Sequence, residues 1–182
     1  MPRPRDVVCD HPTILFVGIN PGATSGAVGH HFAGPGNTFW KLLATAKLTP
    51  IELRADEDGR LPAFGLALVN MAARPTKTAA ELSRGELQRG RARLLGNVRA
   101  MQPAVVALVG VTLYPLLVGS AAAKAAPGPG AKRELVEGAR LFVVPNPSGL
   151  NATFPTFAAK LPWFRKLRTF AYGASGSGIG VV

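Results

Sequence analysis

Three asparagines stand where a site is most easily built: Asn20 in Asn20-Pro21-Gly22, Asn70 in Val69-Asn70-Met71, and Asn146 in Asn146-Pro147-Ser148-Gly149. Each closely follows an apolar run, so each is expected at the carboxyl end of a strand. An asparagine amide offers an acceptor oxygen and two N–H donors and does not ionise. It can orient a water or read a polar edge, but as a base it is negligible. An enzyme relying on it must drive a reaction whose transition state is already largely dissociated. Taken singly, Asn-Pro-Gly and Asn-Pro-Ser-Gly are also ordinary turns, in which Asn and Gly fit the backbone and Pro fixes φ. Both at one sheet edge of a basic protein favour a site.

Other chemistries find little support. The sequence holds no Gly-x-x-x-x-Gly-Lys-Ser/Thr, and the turn after the first strand is not Gly-x-Gly-x-x-Gly, so neither phosphate cradle is present. There is no Gly-x-Ser-x-Gly elbow. His30-His31, with only His11 and Cys9 besides, is a poor ligand set, so no metal is expected. No Asp or Glu falls at a strand end, which argues against a tuned carboxylate as general acid. No Lys falls there either, which argues against a Schiff-base nucleophile. No cofactor is implied.

The charge points to a partner. Twenty-one Lys and Arg stand against ten Asp and Glu, for +11. Residues 1–86 hold nine basic and eight acidic side chains, whereas residues 87–182 hold twelve and two. A one-sided basic half suits a phosphate backbone, through counterion release and steering. A basic proteome would explain the same excess. Hydrophobic residues make up 47% and charged residues 17% of 182, which rules out a disordered or fibrous chain. No apolar run approaches the roughly 20 residues of a membrane span. The start lacks a secretory signal, and the single cysteine permits no internal disulfide, so a reducing, cytoplasmic location is expected, nucleoid-associated and of bacterial type.

The elements that must position these residues alternate between strand and helix. Thr13–Ile19, Gly65–Val69, Ala104–Gly110 and Arg140–Val144 read as strands, the first as one buried on both faces. Asn37 reads as the N-cap of a helix bearing Phe39, Trp40, Leu42 and Leu43. Thr49–Pro62 reads as a solvated loop. Ser83 and Glu86 have capping-box spacing and open a helix with Leu87, Leu94, Leu95, Val98 and Met101 on one face. Its other face carries Arg89, Arg91, Arg93 and Arg99, and Pro103 stops it. Thr112 can cap a short helix, Ala126–Gly130 reads as a loop, and a last helix is expected after Pro162, over Trp163–Tyr172. Residues 1–172 form one expected domain, and 173–182 a flexible Gly/Ser-rich tail. The alternation implies a three-layer α/β/α fold around a mainly parallel sheet of four to five strands. In such sheets the ligand crevice lies beyond the carboxyl ends of the strands.

At this point a resemblance becomes visible. Gly18-Ile19-Asn20-Pro21-Gly22, then Phe32-Ala33 and Asn37-Thr38-Phe39-Trp40-Lys41, resembles the first motif of the mismatch-specific uracil/thymine-DNA glycosylases. Asn146-Pro147-Ser148-Gly149-Leu150-Asn151 resembles their second motif. Asn70–Thr76 is similar to their segment after the second strand, and the likeness runs in order from about Thr13 to Phe170. It implies a uracil-DNA-glycosylase fold and hydrolysis of the N-glycosidic bond of uracil, or of thymine or a damaged pyrimidine, opposite guanine in duplex DNA. On this resemblance Asn20 is the catalytic residue that positions water, and Phe32 stacks on the flipped base. Ser25 and Asn70 line the base pocket, and main-chain groups around Ile19 and Phe32 meet the base edge. Ser148, beside Asn146, holds phosphate, while Gly149-Leu150-Asn151 forms the wedge that fills the vacated space and contacts the opposite guanine.

The physics of base extrusion agrees. Flipping costs a few kcal/mol, least at a mismatch, and an inserted apolar side chain offsets part of it. The glycosidic bond breaks through an oxocarbenium-like state, and neutral amide donors stabilise the departing base without an acid. The bacterial branch often has Lys where this chain has Asn70, and Asn is closer to the thymine-excising branch. His30-His31 is expected at the pocket mouth. Two alternatives stay open: a single-strand-selective uracil glycosylase, whose second motif begins with His rather than Asn146, and a non-catalytic nucleic-acid-binding module. The expected partner is double-stranded DNA, met by a monomer without membrane contact.

Overall fold

The computed structural model describes residues 3–173. Five strands form one sheet in the order β2-β1-β3-β5-β4: β1 (Ile14–Gly18), β2 (Leu66–Asn70), β3 (Val105–Val109), β4 (Gly130–Val136) and β5 (Ala139–Val144). The first three and β5 run parallel, and β4 joins antiparallel at the edge. Every residue of β1, β2 and β3 is buried, as continuous apolar runs predict for strands covered on both faces.

Alternate side chains feed two cores. Ile14 and Phe16 point into one, with Leu42 and Leu43 of α2 (Phe39–Thr45) and Phe164 and Leu167 of α6 (Phe157–Tyr172). Leu15 and Val17 point into the other, with Leu94 and Val98 of α3 (Arg84–Met101) and Leu113 and Leu117 of α4 (Leu113–Val118). This is the three-layer α/β/α arrangement. Two short helices complete the set, α1 (Ala23–Val28) after β1 and α5 (Ser120–Ala125) after α4. No helix among the described residues is long and apolar enough to cross a membrane.

Several elements differ from the sequence reading. The strand β4 was hidden by Lys132, Arg133 and Glu134, because an edge strand alternates exposed and half-buried positions and needs no apolar run. The stretch Thr49–Pro62 is not simply a solvated loop: Ala55–Phe64 is a 3-10 helix that buries Leu61. Asn37 lies one residue before the N-cap, which is Thr38, yet its Oδ1 accepts from Phe39 N at 3.0 Å and does a cap's work. The last helix begins at Phe157, not after Pro162. Thr156 caps it by accepting from Ala159 N, and Pro162 lies inside the helix as its sixth residue, where it has no N–H to give to Ala158 O. Ser83 caps α3 with the predicted box to Glu86. Met1, Pro2 and the Gly/Ser-rich stretch from 174 onward lie outside the described residues.

The chain leaves β1 for β2 on one side and then crosses to β3 on the other. The topological switch therefore lies at the carboxyl ends of β1 and β3, the place where such sheets open a crevice.

Candidate active site

A cavity of about 520 Å³ opens at that edge. Asn20, Asn70 and Asn146 all line it, delivered by three different strands, together with Ile19, Ser25, Phe32, Ser148, Gly149 and Leu150. Among its described lining residues there is no Asp or Glu, and no group of three potential metal ligands occurs among the described residues.

The floor is made by two loops that continue the β1–β2 ladder. Met71 N donates to Gly18 O, Ala72 N to Ile19 O at 2.7 Å, and Thr76 N to Pro21 O. Stitched this way, the segment after β2 forms a wall against which Asn20 is fixed. Asn20 Nδ2 donates to Arg74 O at 2.9 Å and to Thr76 Oγ1 at 2.6 Å. Thr76 passes its own proton to Thr78 O, so its oxygen is free to accept. With the amino hydrogens committed to the wall, the acceptor Oδ1 is the part of Asn20 left for a ligand or a water. That is the end of an amide able to orient a nucleophile.

Gly18 stands in register with Asn70. A Cβ at Gly18 would lie 2.5 Å from Asn70 Oδ1 and 3.6 Å from the Phe32 ring, so glycine is what lets both side chains meet over the strand end. Phe32 stacks on Phe39 at 4.1 Å with a left-handed backbone, φ 51°, a conformation a bulky residue adopts only when its surroundings impose it. Ser25 Oγ accepts from Ala33 N at 3.0 Å and thereby fixes the turn that follows Phe32.

His31 corrects one expectation. It is not at the pocket mouth but lines the cavity as a buried wall residue, 2% exposed, while His30 does not line it. Its Nε2 lies 2.9 Å from the Arg5 carbonyl, which only accepts, so Nε2 carries the proton. Nδ1 is then an acceptor, and Asn70 Nδ2 donates to it at 3.3 Å. The neutral ring thus fixes which way the Asn70 amide points. Burial, the dominant influence, pushes the His31 pKa below 6.5, in keeping with that neutral form. The supposed loop contributes here too: Asp58 of the 3-10 helix accepts from His31 N at 3.1 Å and sits 3.2 Å from His30 Nδ1.

The lip is built by the segment after β5. Asn146 Oδ1 accepts from Ser148 N, and Ser148 Oγ from Leu150 N. Asn151 does not line the cavity. Its Nδ2 donates to Asn146 O and its Oδ1 accepts from Thr153 N and Phe154 N, so it holds the loop's two ends together. Leu150 is 93% exposed, more than any other large apolar residue described.

Two residues escaped the sequence reading. Lys77, seven residues past β2, lines the cavity rim although no lysine falls at a strand end. Lys160 donates to Ser148 O at 2.8 Å from the N-terminal turns of α6. Its position four residues before Phe164 is the signal in the sequence, and it counts only for a helix that already includes residue 160. The arginines of α3 are partly structural: Arg91 donates to Leu117 O, Arg93 pairs with Asp6 and donates to Asn70 O, and Arg99 pairs with Glu137.

Comparison with known proteins places this geometry among relatives. A family model described as "Uracil DNA glycosylase superfamily" matches residues 5–168. A curated protein of Schizosaccharomyces pombe (strain 972 / ATCC 24843), described as "G/U mismatch-specific uracil DNA glycosylase", is 41% identical over 102 residues. The match covers 55% of this chain and 31% of that protein, so the chain aligns with less than a third of its relative's length.

Proposed function

The chain belongs to the uracil DNA glycosylase superfamily, and from that premise we propose that it is a monofunctional glycosylase. Its substrate in this reading is uracil, or thymine or a damaged pyrimidine, mispaired with guanine in duplex DNA, and it works as a monomer. The observation that carries the reading is the meeting of Asn20, Phe32 and Asn70 in one cavity whose lip presents Leu150 to solvent. A flipped base enters the cavity and stacks on the face of Phe32 turned away from Phe39. Asn20 Oδ1 holds the water that attacks the sugar carbon as the glycosidic bond lengthens. Because the transition state is already oxocarbenium-like, the water needs orientation more than deprotonation.

The leaving pyrimidine departs as an anion, and charge development on it is met by N–H donors. The second hydrogen of Asn70 Nδ2 is one, since the first is spent on His31. Preorganised donors of this kind act without reorganisation at the moment of reaction. Leu150 enters the stack and holds the base out, and Ser148 binds the flanking phosphate. The polar edge presented by Asn70 favours a pyrimidine carbonyl, and its neutral amide leaves room for lesions beyond uracil.

The experiment is release of free base from U·G, T·G, U·A and single-stranded oligonucleotides under single-turnover conditions. Release from U·G above U·A supports the mismatch-specific reading. Binding without release from any substrate points to the non-catalytic module, and preference for single strands to the other glycosylase class.

A further inference from the structure

Lys160 occupies the buried stripe of α6, in step with Phe157, Phe164 and Leu167, and is 1% exposed. An apolar residue would fill that position more cheaply, since a buried ammonium without a counter-charge is expensive. Its described partner is a neutral one, the Ser148 carbonyl at 2.8 Å. None of the ion pairs among the described residues includes it. Burial lowers its pKa, and no carboxylate pulls the other way. The missing counter-charge must come from outside or not at all.

The position of the loop says where it would arrive. Ser148, which Lys160 holds, and Gly149 next to it line the cavity, and Leu150 projects from the same loop into solvent. The surrounding half of the chain has only Glu134 and Glu137 as acids. Glu134 is engaged with Tyr114 and Glu137 with Arg99, so neither is spare. We propose that Lys160 is a positioning residue whose buried, uncompensated charge acts through the Ser148–Leu150 loop to seat a DNA phosphate above it. The proposal rests on reading the chain as a DNA glycosylase. Beneath a covering loop the field of an ammonium is screened less than that of a surface lysine, so one residue can fix where the strand lies.

The test compares Lys160→Gln, Lys160→Met and Lys160→Arg for binding to an undamaged duplex across a salt series. Gln keeps a donor for Ser148 O but loses the charge; Arg keeps the charge. We expect Gln and Met to flatten the log–log salt slope by about 0.9 and to weaken binding roughly tenfold near 0.1 M salt, as when one phosphate fewer is neutralised. Arg should keep the wild-type slope. If Gln keeps the wild-type slope, Lys160 is only a strut for the loop and the proposal falls. Should Met fail to fold, as a thermal melt would show, the comparison of Gln with Arg still decides. The same preparations are assayed for uracil release. A wild-type protein that releases none refutes the glycosylase reading, while the slopes still decide the role of Lys160.

Discussion

The floor and the lip of the cavity are built in opposite ways. The floor is over-determined: the loops after β1 and β2 are joined by three main-chain hydrogen bonds, and Asn20 and Asn70 are each held by named partners. The lip is held by its own Asx-type turns, by Thr38, whose N and Oγ1 both donate to Pro147 O, and by the single bond from Lys160 to Ser148 O. Within it Leu150 has no core to enter. Under the proposed function the contrast separates two tasks. Chemistry needs atoms fixed to within a fraction of an ångström, whereas opening a base stack needs an apolar group left outside.

The largest expected effect comes from the floor. Asn20→Ala should lower single-turnover excision about 10²–10³-fold, the scale of losing one preorganised polar group, while duplex affinity stays within about threefold of wild type. Loss of affinity in proportion to activity would move Asn20 from the chemistry to the binding surface.

A second change tests how the floor is supported. Gly90 lies in the middle of α3, where Ala would be better by about 1 kcal/mol on propensity alone. Its Cβ would fall 2.4 Å from Met71 O, a main-chain atom of the wall. Gly90→Ala should therefore cost about 1–3 kcal/mol of stability, read as a lower Tm, and reduce excision with it. A rise in Tm would mean that the wall yields freely.

Much of this was readable beforehand, and the exceptions have physical reasons. The parallel strands were legible because strands covered on both faces need continuous apolar runs, and Asn20, Asn70 and Asn146 could be placed at one edge from those runs alone. Leu150 was legible because an apolar side chain between Gly149 and Asn151 has nowhere to bury. Contacts distant in sequence were not. Nothing local to His31 says that it packs under Asn70, or that Asp58 reaches it from 27 residues away. Gly90 is explained only by Met71, and Lys160 only by a loop from another element. β4 is legible only as an edge, a role its charged residues fit but do not announce.

The lip carries a smaller effect. Leu150→Ala should slow excision from duplex about tenfold, leave single-stranded DNA nearly unaffected, and barely move Tm. Truncating a core leucine costs about 2–5 kcal/mol, so a large drop in Tm would place Leu150 in the fold rather than in the DNA.

The smallest effect sharpens the floor once more. His31 has a folded-state pKa below its unfolded value of 6.5, so the unfolded chain binds the extra proton first. Its neutral-state stability is complete above pH 6.5 and is lost as pH falls towards the folded pKa. Protonation would also put an N–H on Nδ1 against Asn70 Nδ2, two donors face to face. His31→Gln should remove that part of the acid-side decline in both stability and excision; identical profiles would show that His31 stays neutral throughout.

The division between floor and lip is tested most directly by one ratio, the single-turnover excision rate from U·G duplex over that from the same uracil in a single strand. Asn20→Ala is expected to lower both rates alike and leave the ratio near the wild-type value, whereas Leu150→Ala is expected to lower the ratio about tenfold. If Leu150→Ala slows both substrates equally, the lip does not act on the base stack and the division is wrong.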